Sequence, residues 1–487
     1  MRLSSSLAKY SAIILALVLS PACAAPPADP ERFSAAALKS DFDALYEGLQ
    51  AAHFDLYARR PKDEYDAAYR DERRAISGPM TRTEAEVRFQ QFVAYGNIAH
   101  ANIAFPSAAY EAFREAGGKA FPLSIRFVGD DLMIADDMSG VSPSLAGARI
   151  VSINGESVEA VEKRLSAHLS ADSAYLARTM LEFRFGALLW LDGGEVETFD
   201  LGIETPDGAP RRVTAPALAR DALVDPEDAA FDLDWNERRH AVIDGVGYLR
   251  PGPFYNNAPD AADMWDNAAF KAFIDEAFAA FAAAEVPAIL IDIRANPGGD
   301  NSFSDHMVAW FADRPFKFAS HFYVKVSAAT TASNAERLQP GDETSISARY
   351  AAAFEKAKPG DIIDFDLGDG RPRDGARYEG KVFILIDRHS YSNATTLAAL
   401  AQDYGFATIL GEETSDLATT YGAMEQFTLP NTGIVVSYPK AHIIRPNGDL
   451  AARGVVPDIA IASPLRAKDD EMLKDALRLI LREIGDD

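Results

Sequence analysis

Apolar residues in the first part of the chain recur at the spacing of a helix. At intervals of 4, 3 and 4 residues, one helical face carries Leu38, Phe42, Leu45 and Leu49. Further along, Thr81 stands three residues before Glu84 and ahead of an apolar run, which is the pattern of a capping box at the start of a helix. We therefore predict an N-terminal helical region over residues 30–110.

The pattern changes to short β-rich runs over residues 120–215. Alternating runs occur at residues 123–128 and 132–134, and Asn154-Gly155 is a turn signal that follows a further strand. A helical stretch comes after this turn, so we expect a small β-rich module that carries a helix. The charged residues 216–238 read as a connection.

Residues 240–465 predict the largest unit. Two continuous apolar runs, residues 289–293 and 382–386, each end in a polar loop, and a helical stretch over residues 394–404 follows the second loop. Strands that alternate with helices indicate an α/β core with a mostly parallel central sheet, in which sites gather at the carboxyl ends of the strands. A C-terminal helix over residues 466–487 completes a multidomain protein of the α/β class.

Composition narrows the class of partner. The net charge of −25 repels nucleic acid and anionic lipid, so we expect no nucleic-acid partner. Cys23 is the single cysteine, which excludes intrachain disulfides and cysteine-ligated zinc sites. No apolar stretch is long enough to span a bilayer, so no transmembrane span is expected.

The first 24 residues have the pattern of a secretory signal peptide. A positive start precedes a 7-residue apolar core, and Ala22-x-Ala24 is a small-x-small cleavage pattern. We therefore expect an exported protein, periplasmic or secreted. The alternative is a lipoprotein acylated at Cys23, because Leu-Ser-Pro-Ala-Cys is similar to a lipoprotein signal.

Candidate chemistry lies in the two loops that follow the buried runs. One loop contains Gly298-Gly299, and the other contains Ser392 at the start of a helix. Backbone N–H groups of a Gly-Gly turn can converge on one point, and a serine at a helix N-terminus gains from the helix dipole. A nucleophile with convergent N–H groups is the minimal equipment for acyl transfer. The alternative interpretation of Ser392 is an ordinary N-cap.

These motifs resemble the tail-specific, or C-terminal-processing, serine peptidases and their relative, the tricorn core protease. The resemblance covers most of residues 33–485. It is carried, in order, by Ile291-Asp-Ile-Arg294 with Asn296-Pro-Gly-Gly299, Ser390-Tyr-Ser-Asn-Ala394, Gln402-Asp403, Gly411-Glu-Glu-Thr414 and Gly454-Val-Val-Pro-Asp458. It implies a ClpP/crotonase-like α/β core, a PDZ-like module at residues 120–215 and an exported serine endopeptidase whose partner is a polypeptide substrate.

The resemblance also implies the catalytic roles. The family nucleophile falls on Ser392, and the N–H groups of Gly299 and Asn393 form the oxyanion hole. One family style places a lysine about 25 residues after the serine, where this chain has Leu417. The other, tricorn-like style uses a histidine before the β-rich module, and that place holds His100 in Gly96-Asn-Ile-Ala-His100.

The third catalytic group departs from the tricorn-like pattern. The acidic residue that orients the histidine there falls on Ala451 or a neighbour in this chain. Candidate orienting groups are therefore Glu412, Glu413, Asp416 and Asp449, or a water or a backbone carbonyl. His53, within Ala52-His-Phe-Asp-Leu-Tyr57, resembles a family landmark and is interpreted as structural.

Other catalytic classes have no support in the motifs. Ser437-Tyr-Pro-Lys440 fits a Ser-x-x-Lys pattern but stands in a strand-like run, whereas that motif requires a helix. There is no His-Glu-x-x-His pair and no phosphate-binding loop, so neither a metal nor an organic cofactor is implied. Two other functions remain open: a non-catalytic ligand- or peptide-binding protein on the same fold, and an esterase that uses the same serine and histidine.

Overall fold

The computed structural model describes residues 32–226 and 228–485, so the predicted signal peptide and Cys23 lie outside the described residues. Within this range the helices are α1 (Ala35–Ala52), α2 (Lys62–Ala75), α3 (Arg82–Ala94), α4 (Ser107–Glu115), α5 (Val158–Ser166), α6 (Ala174–Gly193), α7 (Ala268–Ala283), α8 (Asn301–Val308), α9 (Ala328–Arg337), α10 (Ile346–Phe354), α11 (Asn393–Tyr404) and α12 (Glu471–Gly485). None of them is long and apolar enough to cross a lipid bilayer.

The strands of the same range are β1 (Arg32–Phe33), β2 (Met80–Thr81), β3 (Asn102–Ile103), β4 (Leu123–Val128), β5 (Asp131–Asp137), β6 (Arg149–Ile153), β7 (Glu156–Ser157), β8 (Thr198–Glu204), β9 (Pro210–Pro216), β10 (Arg239–Ile243), β11 (Val246–Arg250), β12 (Ala288–Asp292), β13 (His321–Lys325), β14 (Ile362–Asp364), β15 (Lys381–Ile386), β16 (Thr408–Gly411), β17 (Thr420–Thr428), β18 (Val435–Ile444) and β19 (Ile459–Ala460). The mixed α/β class predicted from the sequence is confirmed.

The chain divides into two compact units. The first unit contains the described residues up to Ala230 together with Tyr323–Ile363 and Tyr421–His442. The second unit contains Phe231–Phe322, Asp364–Thr420 and the described residues from Ile443 onwards. Each unit therefore contains segments that are far apart in sequence.

Helices α1 to α3 of the first unit pack around an aromatic core. The predicted face of α1 is fully buried, and the Phe42 ring lies 4.8 Å from that of Phe92. Both halves of the predicted capping box form, because the Thr81 side chain accepts from the Glu84 N–H and the Glu84 carboxylate accepts from the Thr81 N–H. Strand β3 follows α3 and pairs antiparallel with β18, within a sheet ordered β14-β13-β18-β17.

The β-rich part of the first unit is an antiparallel sheet in the order β4-β5-β6-β8-β9. Asn154 and Gly155 join β6 to β7 with φ angles of 50° and 84°, as a tight two-residue hairpin requires. The sheet shares its core with α5 and α6 through Leu165, Leu181 and Ile203.

The second unit is built on a six-stranded sheet in the order β10-β11-β12-β15-β16-β19. Strand β10 is antiparallel to β11, and all the other neighbours are parallel. Alternate residues of β12 enter two different cores: Ile289 and Ile291 pack with α7, whereas Leu290 packs with α12. Because both faces of the sheet are covered, its strands read as continuous apolar runs.

Candidate active site

The loops that follow β12 and β15 lie side by side at the carboxyl edge of the parallel sheet in the second unit. Three bonds of 2.9 Å join them: Ser390 Oγ to the carbonyl of Ile293, the Ala295 N–H to the Asp387 carboxylate, and the Tyr391 N–H to the carbonyl of Asn296. These bonds bring the Gly298-Gly299 turn to the start of α11, as the sequence predicts for this edge.

Gly298 packs against the backbone of the Ser392 segment. Its φ angle is 83°, and a β-carbon there would lie 2.6 Å from the nitrogen of Asn393 and 2.6 Å from the carbonyl oxygen of Tyr391. Real β-carbons do not approach backbone atoms this closely, so only glycine lets the two loops meet in this way.

Ser392 immediately precedes α11 and has an uncommon backbone conformation. Its φ and ψ angles are 55° and −121°, and its side chain makes no capping hydrogen bond to the helix. Such a conformation costs a residue other than glycine about 1–3 kcal/mol and is found mainly at functional sites. The N-cap interpretation therefore does not account for this serine, whose side chain is partly exposed.

The two loops carry the backbone N–H groups of Asn393 and Gly299. Asn393 is the first residue of α11, where an N–H has no acceptor inside the helix and lies at the positive end of the helix dipole. On the other loop, the Phe254 N–H bonds to the Gly298 carbonyl and the Asp300 N–H bonds to the Phe254 carbonyl, both at 2.9 Å, so these bonds engage the neighbours of Gly299 and not its own N–H.

The Asn393 side chain, at the start of α11, is fixed by contact with α8. Asn393 is 3% exposed, and its amide donates a 3.0 Å hydrogen bond to Ser304 of α8. A fixed side chain restrains the backbone of the first helical turn, and with it the direction of the Asn393 N–H.

Asp416 contacts the Ser392 segment through its carboxylate. It is 0% exposed, and its Oδ2 accepts a 2.6 Å hydrogen bond from the backbone N–H of Ser392. From the sequence, Asp416 is predicted only as a group that could orient the histidine, because a carboxylate that accepts from a backbone N–H has no characteristic sequence spacing.

The other acidic candidates differ in their contacts. Glu412 forms an ion pair of 2.6 Å with Arg388. Asp449 accepts from the Ala451 N–H at 3.0 Å within its own turn. Glu413 lies in the same strand-exit loop as Glu412. The orienting role that the sequence assigns to Glu412, Glu413 or Asp416 stays a prediction.

Asp292 and Arg294 of the Asp-x-Arg motif stabilise the end of strand β12 and not the loops that carry Gly299 and Ser392. Asp292 is 1% exposed, and Arg294 binds both Asp292 at 2.7 Å and Asp470 at 2.6 Å. Burial opposes the ionised carboxylate, yet Arg294 and Arg250 together lower the pKa of Asp292 to about 2. This network ties the end of β12 to the segment before α12.

His100 belongs to the first unit and follows α3. It is 3% exposed, and its side chain hydrogen-bonds to the backbone of Tyr421. Burial lowers the pKa of His100 to about 4, although the bond to Tyr421 acts in the opposite direction. The imidazole is therefore neutral near pH 7, the form that a general base requires.

Asp172 holds the backbone beside His100 and was missed by the sequence analysis. Its Oδ2 accepts a 3.2 Å hydrogen bond from the Ala99 N–H, and Oδ1 lies 3.7 Å from Arg59. Burial raises the pKa of Asp172 to about 6. Asp172 lies 73 residues beyond Ala99 in a Ser-Ala-Asp-Ser run, which carries no signal of this contact.

Two other candidate residues are part of the interior of the first unit. His53 is fully buried, and neither of its ring nitrogens has a hydrogen-bond partner among the described residues. Lys440 is buried and bonds to Glu425 at 2.6 Å. It lies in strand β18, whereas a catalytic Ser-x-x-Lys motif requires a helix. No group of His, Cys, Asp and Glu side chains suited to a metal ion occurs in residues 32–226 and 228–485.

Comparison with known proteins supports a serine peptidase. Residues 246–461 match the model of peptidase family S41. The matched segment runs from β11 to β19 and includes Gly299 and Ser392, in agreement with the resemblance carried by the sequence motifs. No curated protein sequence matches the chain.

Solved structures with the same fold include three of CPAF. Mature CPAF is 17% identical with a TM-score of 0.64, over 93% of this chain and 98% of CPAF. Mature CPAF in complex with lactacystin is 16% identical with a TM-score of 0.63, over 93% and 99%. A CPAF mutant is 16% identical with a TM-score of 0.57, over 88% and 93%. At these identities the likeness concerns the fold.

Proposed function

We propose that this serine peptidase hydrolyses peptide bonds with Ser392 as the nucleophile and His100 as the general base. The observation that carries the proposal is Ser392 itself: a strained residue before a helix, with a hydroxyl that does not cap that helix. Placed beside Gly298 at the carboxyl edge of a parallel sheet, it has the setting of a serine nucleophile.

The reaction follows from these groups. The Ser392 hydroxyl attacks the scissile carbonyl, and its proton passes to the imidazole of His100, which later protonates the leaving amine. The N–H groups of Gly299 and Asn393 bind the oxyanion of the tetrahedral intermediate. Water then hydrolyses the acyl-enzyme in the same manner, with His100 as the base.

A backbone carbonyl replaces the acidic orienting residue in this proposal. The bond between the His100 side chain and the backbone of Tyr421 fixes which ring nitrogen carries the proton, because a carbonyl only accepts. In this mechanism the other nitrogen carries no proton and accepts the one that Ser392 gives up. This assignment accounts for a chain that has Ala451 where the tricorn-like pattern has an acid.

Labelling with a fluorophosphonate probe, which reacts with activated serines, tests the proposal. Wild type is compared with Ser392→Ala, His100→Ala and the control His321→Ala, a histidine whose side chain is 50% exposed and paired with Asp364. We expect no labelling of Ser392→Ala, a loss on the order of 100-fold or more for His100→Ala, and wild-type labelling of the control.

The outcomes separate the alternatives. A folded wild type that is not labelled would favour the non-catalytic binding protein on the same fold. Labelling that survives His100→Ala would remove His100 from the mechanism. For a labelled enzyme, turnover of esters without turnover of peptides would identify an esterase.

We include export and peptide-end recognition in the proposal. Removal of residues 1–24 gives a mature chain that begins at Ala25, whereas acylation at Cys23 gives a lipoprotein, and mass spectrometry of the mature N-terminus distinguishes them.

The β-rich sheet of residues 123–216 is proposed to act as a PDZ-like module that takes an extended peptide at its edge. Peptides with free and amidated C-termini test this role by their KM values.

A further inference from the structure

We infer that Asp416 is a positioning residue that keeps the Ser392 backbone in its reactive conformation. The inference rests on the proposed function of Ser392. It differs from an orienting role toward the histidine, because the contact is a 2.6 Å hydrogen bond between the Asp416 carboxylate and the backbone N–H of the nucleophile.

The Ser392 backbone needs such a restraint. Its φ of 55° and ψ of −121° lie in a region that residues with a side chain rarely occupy, and these angles persist only where the surroundings dictate them. Hydrogen bonds to an ionised acceptor are about twice as strong as neutral ones. The short bond to the Asp416 carboxylate is therefore a direct restraint on the peptide group that joins Tyr391 to Ser392.

Asp416 is itself held in place by its own loop. The Thr414 hydroxyl donates to the Asp416 carbonyl at 2.9 Å and accepts from the Val455 N–H at 2.9 Å. A β-carbon on Gly454 would lie 1.9 Å from the Thr414 carbonyl oxygen, so the Gly-Val-Val-Pro-Asp segment is packed directly against this loop. The motif that ends at Thr414 and the motif that begins at Gly454 supply neither the nucleophile nor the oxyanion hole. Both instead support the loop that carries Asp416.

Burial of the carboxylate is consistent with this task. Asp416 is 0% exposed, and a buried carboxylate is costly unless it is hydrogen-bonded. The hydrogen bond from the Ser392 N–H, at the start of α11, is one such bond. The carboxylate does not touch the substrate carbonyl in this scheme, so it acts only through Ser392.

Three variants test the inference. Asp416→Asn keeps the size of the side chain and removes its charge, Asp416→Ala removes the acceptor, and Asp313→Asn is a control at an aspartate whose side chain is 66% exposed. We expect the rate constant of fluorophosphonate labelling to fall about 10-fold in Asp416→Asn and about 100-fold in Asp416→Ala, as for loss of a hydrogen bond to a charged group. KM for a peptide is expected to stay unchanged while kcat falls, and the control is expected to match wild type.

Amide hydrogen exchange gives a readout that does not depend on activity. The Ser392 amide is expected to be protected in wild type and to exchange faster in both Asp416 variants, while the amides of β12 and β15 keep their protection. A merely structural role would lower the melting temperature and leave the labelling rate of the folded fraction unchanged, and that result would overturn the inference.

The two proposals fail in different ways. Suppose that wild type is not labelled, and that the Ser392 amide exchanges faster in the Asp416 variants than in wild type. The proposed function is then wrong, and the restraint on Ser392 stands. If wild type is labelled and folded Asp416→Asn is labelled equally fast with an equally protected amide, the restraint is wrong. Because Asp416→Asn is nearly isosteric, it decides the matter even where Asp416→Ala does not fold.

Discussion

A β-carbon on Gly298 would lie 2.6 Å from the backbone nitrogen of Asn393, closer than two such atoms approach. Gly298→Ala is therefore expected to push apart the loops that carry Gly299 and Ser392. A displacement of about 1 Å at a catalytic group costs about 100-fold in rate, so labelling of Ser392 should fall by at least this factor.

Gly245→Ala is the matched control for this change. Gly245 has a φ of 84°, nearly equal to the 83° of Gly298, but a β-carbon there meets nothing within 4 Å. Both variants carry a similar backbone strain, of about 1–2 kcal/mol, and only Gly298→Ala adds the clash. Equal labelling of the two variants would contradict the proposed closeness of the loops.

Activity is expected to persist to a low pH. Burial lowers the pKa of His100 to about 4, so the neutral base persists to a lower pH than for a histidine in water, whose pKa is about 6.5. The labelling rate constant should therefore be constant from pH 8 to about pH 5 and fall with a midpoint near pH 4. Circular dichroism at each pH confirms that the protein is folded, and a midpoint between pH 6 and 7 would contradict the lowering of the His100 pKa by burial.

Acid should also lower the free energy of unfolding, because protonation of the buried His53 is unfavourable in the folded state. Burial lowers its pKa to about 3, whereas the unfolded chain titrates near 6.5, so the folded state binds fewer protons between these values. The stability that His53 contributes is fully present above pH 6.5 and is lost as the pH falls toward 3, with a slope of up to about 1.4 kcal/mol per pH unit.

His53→Phe tests this term. It removes the titrating group, and urea unfolding at pH 7, 6, 5 and 4 should show a shallower fall in the free energy of unfolding than for wild type. His321→Gln, at an exposed position, should retain the wild-type slope. An unchanged slope in His53→Phe would show that the histidine does not resist protonation.

Lys440 is expected to matter for stability and not for chemistry. Lys440→Met leaves the buried Glu425 with Arg337 as its remaining cation, so the free energy of unfolding should fall by up to about 3 kcal/mol. Arg337→Met removes a cation whose side chain is 45% exposed and should cost less. Labelling of Ser392 by the folded fraction should be unchanged in both variants, and also in Ser437→Ala, whereas loss of labelling would revive the Ser-x-x-Lys interpretation.

Features with a local pattern were predictable from the sequence. The buried face of α1, the Asn154-Gly155 hairpin and the apolar runs of the parallel sheet each follow from periodicity or turn chemistry within a few residues. The place of Ser392 at a strand-exit edge follows from the same logic, because buried parallel strands bring their carboxyl ends together.

Contacts between distant segments were not predictable in this way. The bond from Asp416 to the Ser392 N–H and the bond from His100 to the backbone of Tyr421 both end on backbone groups, which every residue type provides. The Asp172 carboxylate likewise holds a main-chain N–H. A search by residue type and spacing has nothing to detect in such cases.

The discontinuous make-up of the two units has a consequence for dissecting this protein. The chain passes from one unit to the other after residues 230, 322, 363, 420 and 442, so no single cut separates them. A fragment that ends before residue 421 lacks a segment of the unit that holds His100, and one that begins after residue 230 lacks His100 altogether. The candidate base and nucleophile therefore cannot be produced as two self-contained gene fragments, and a ribosome completes the first unit's last segment only after it has made Ser392.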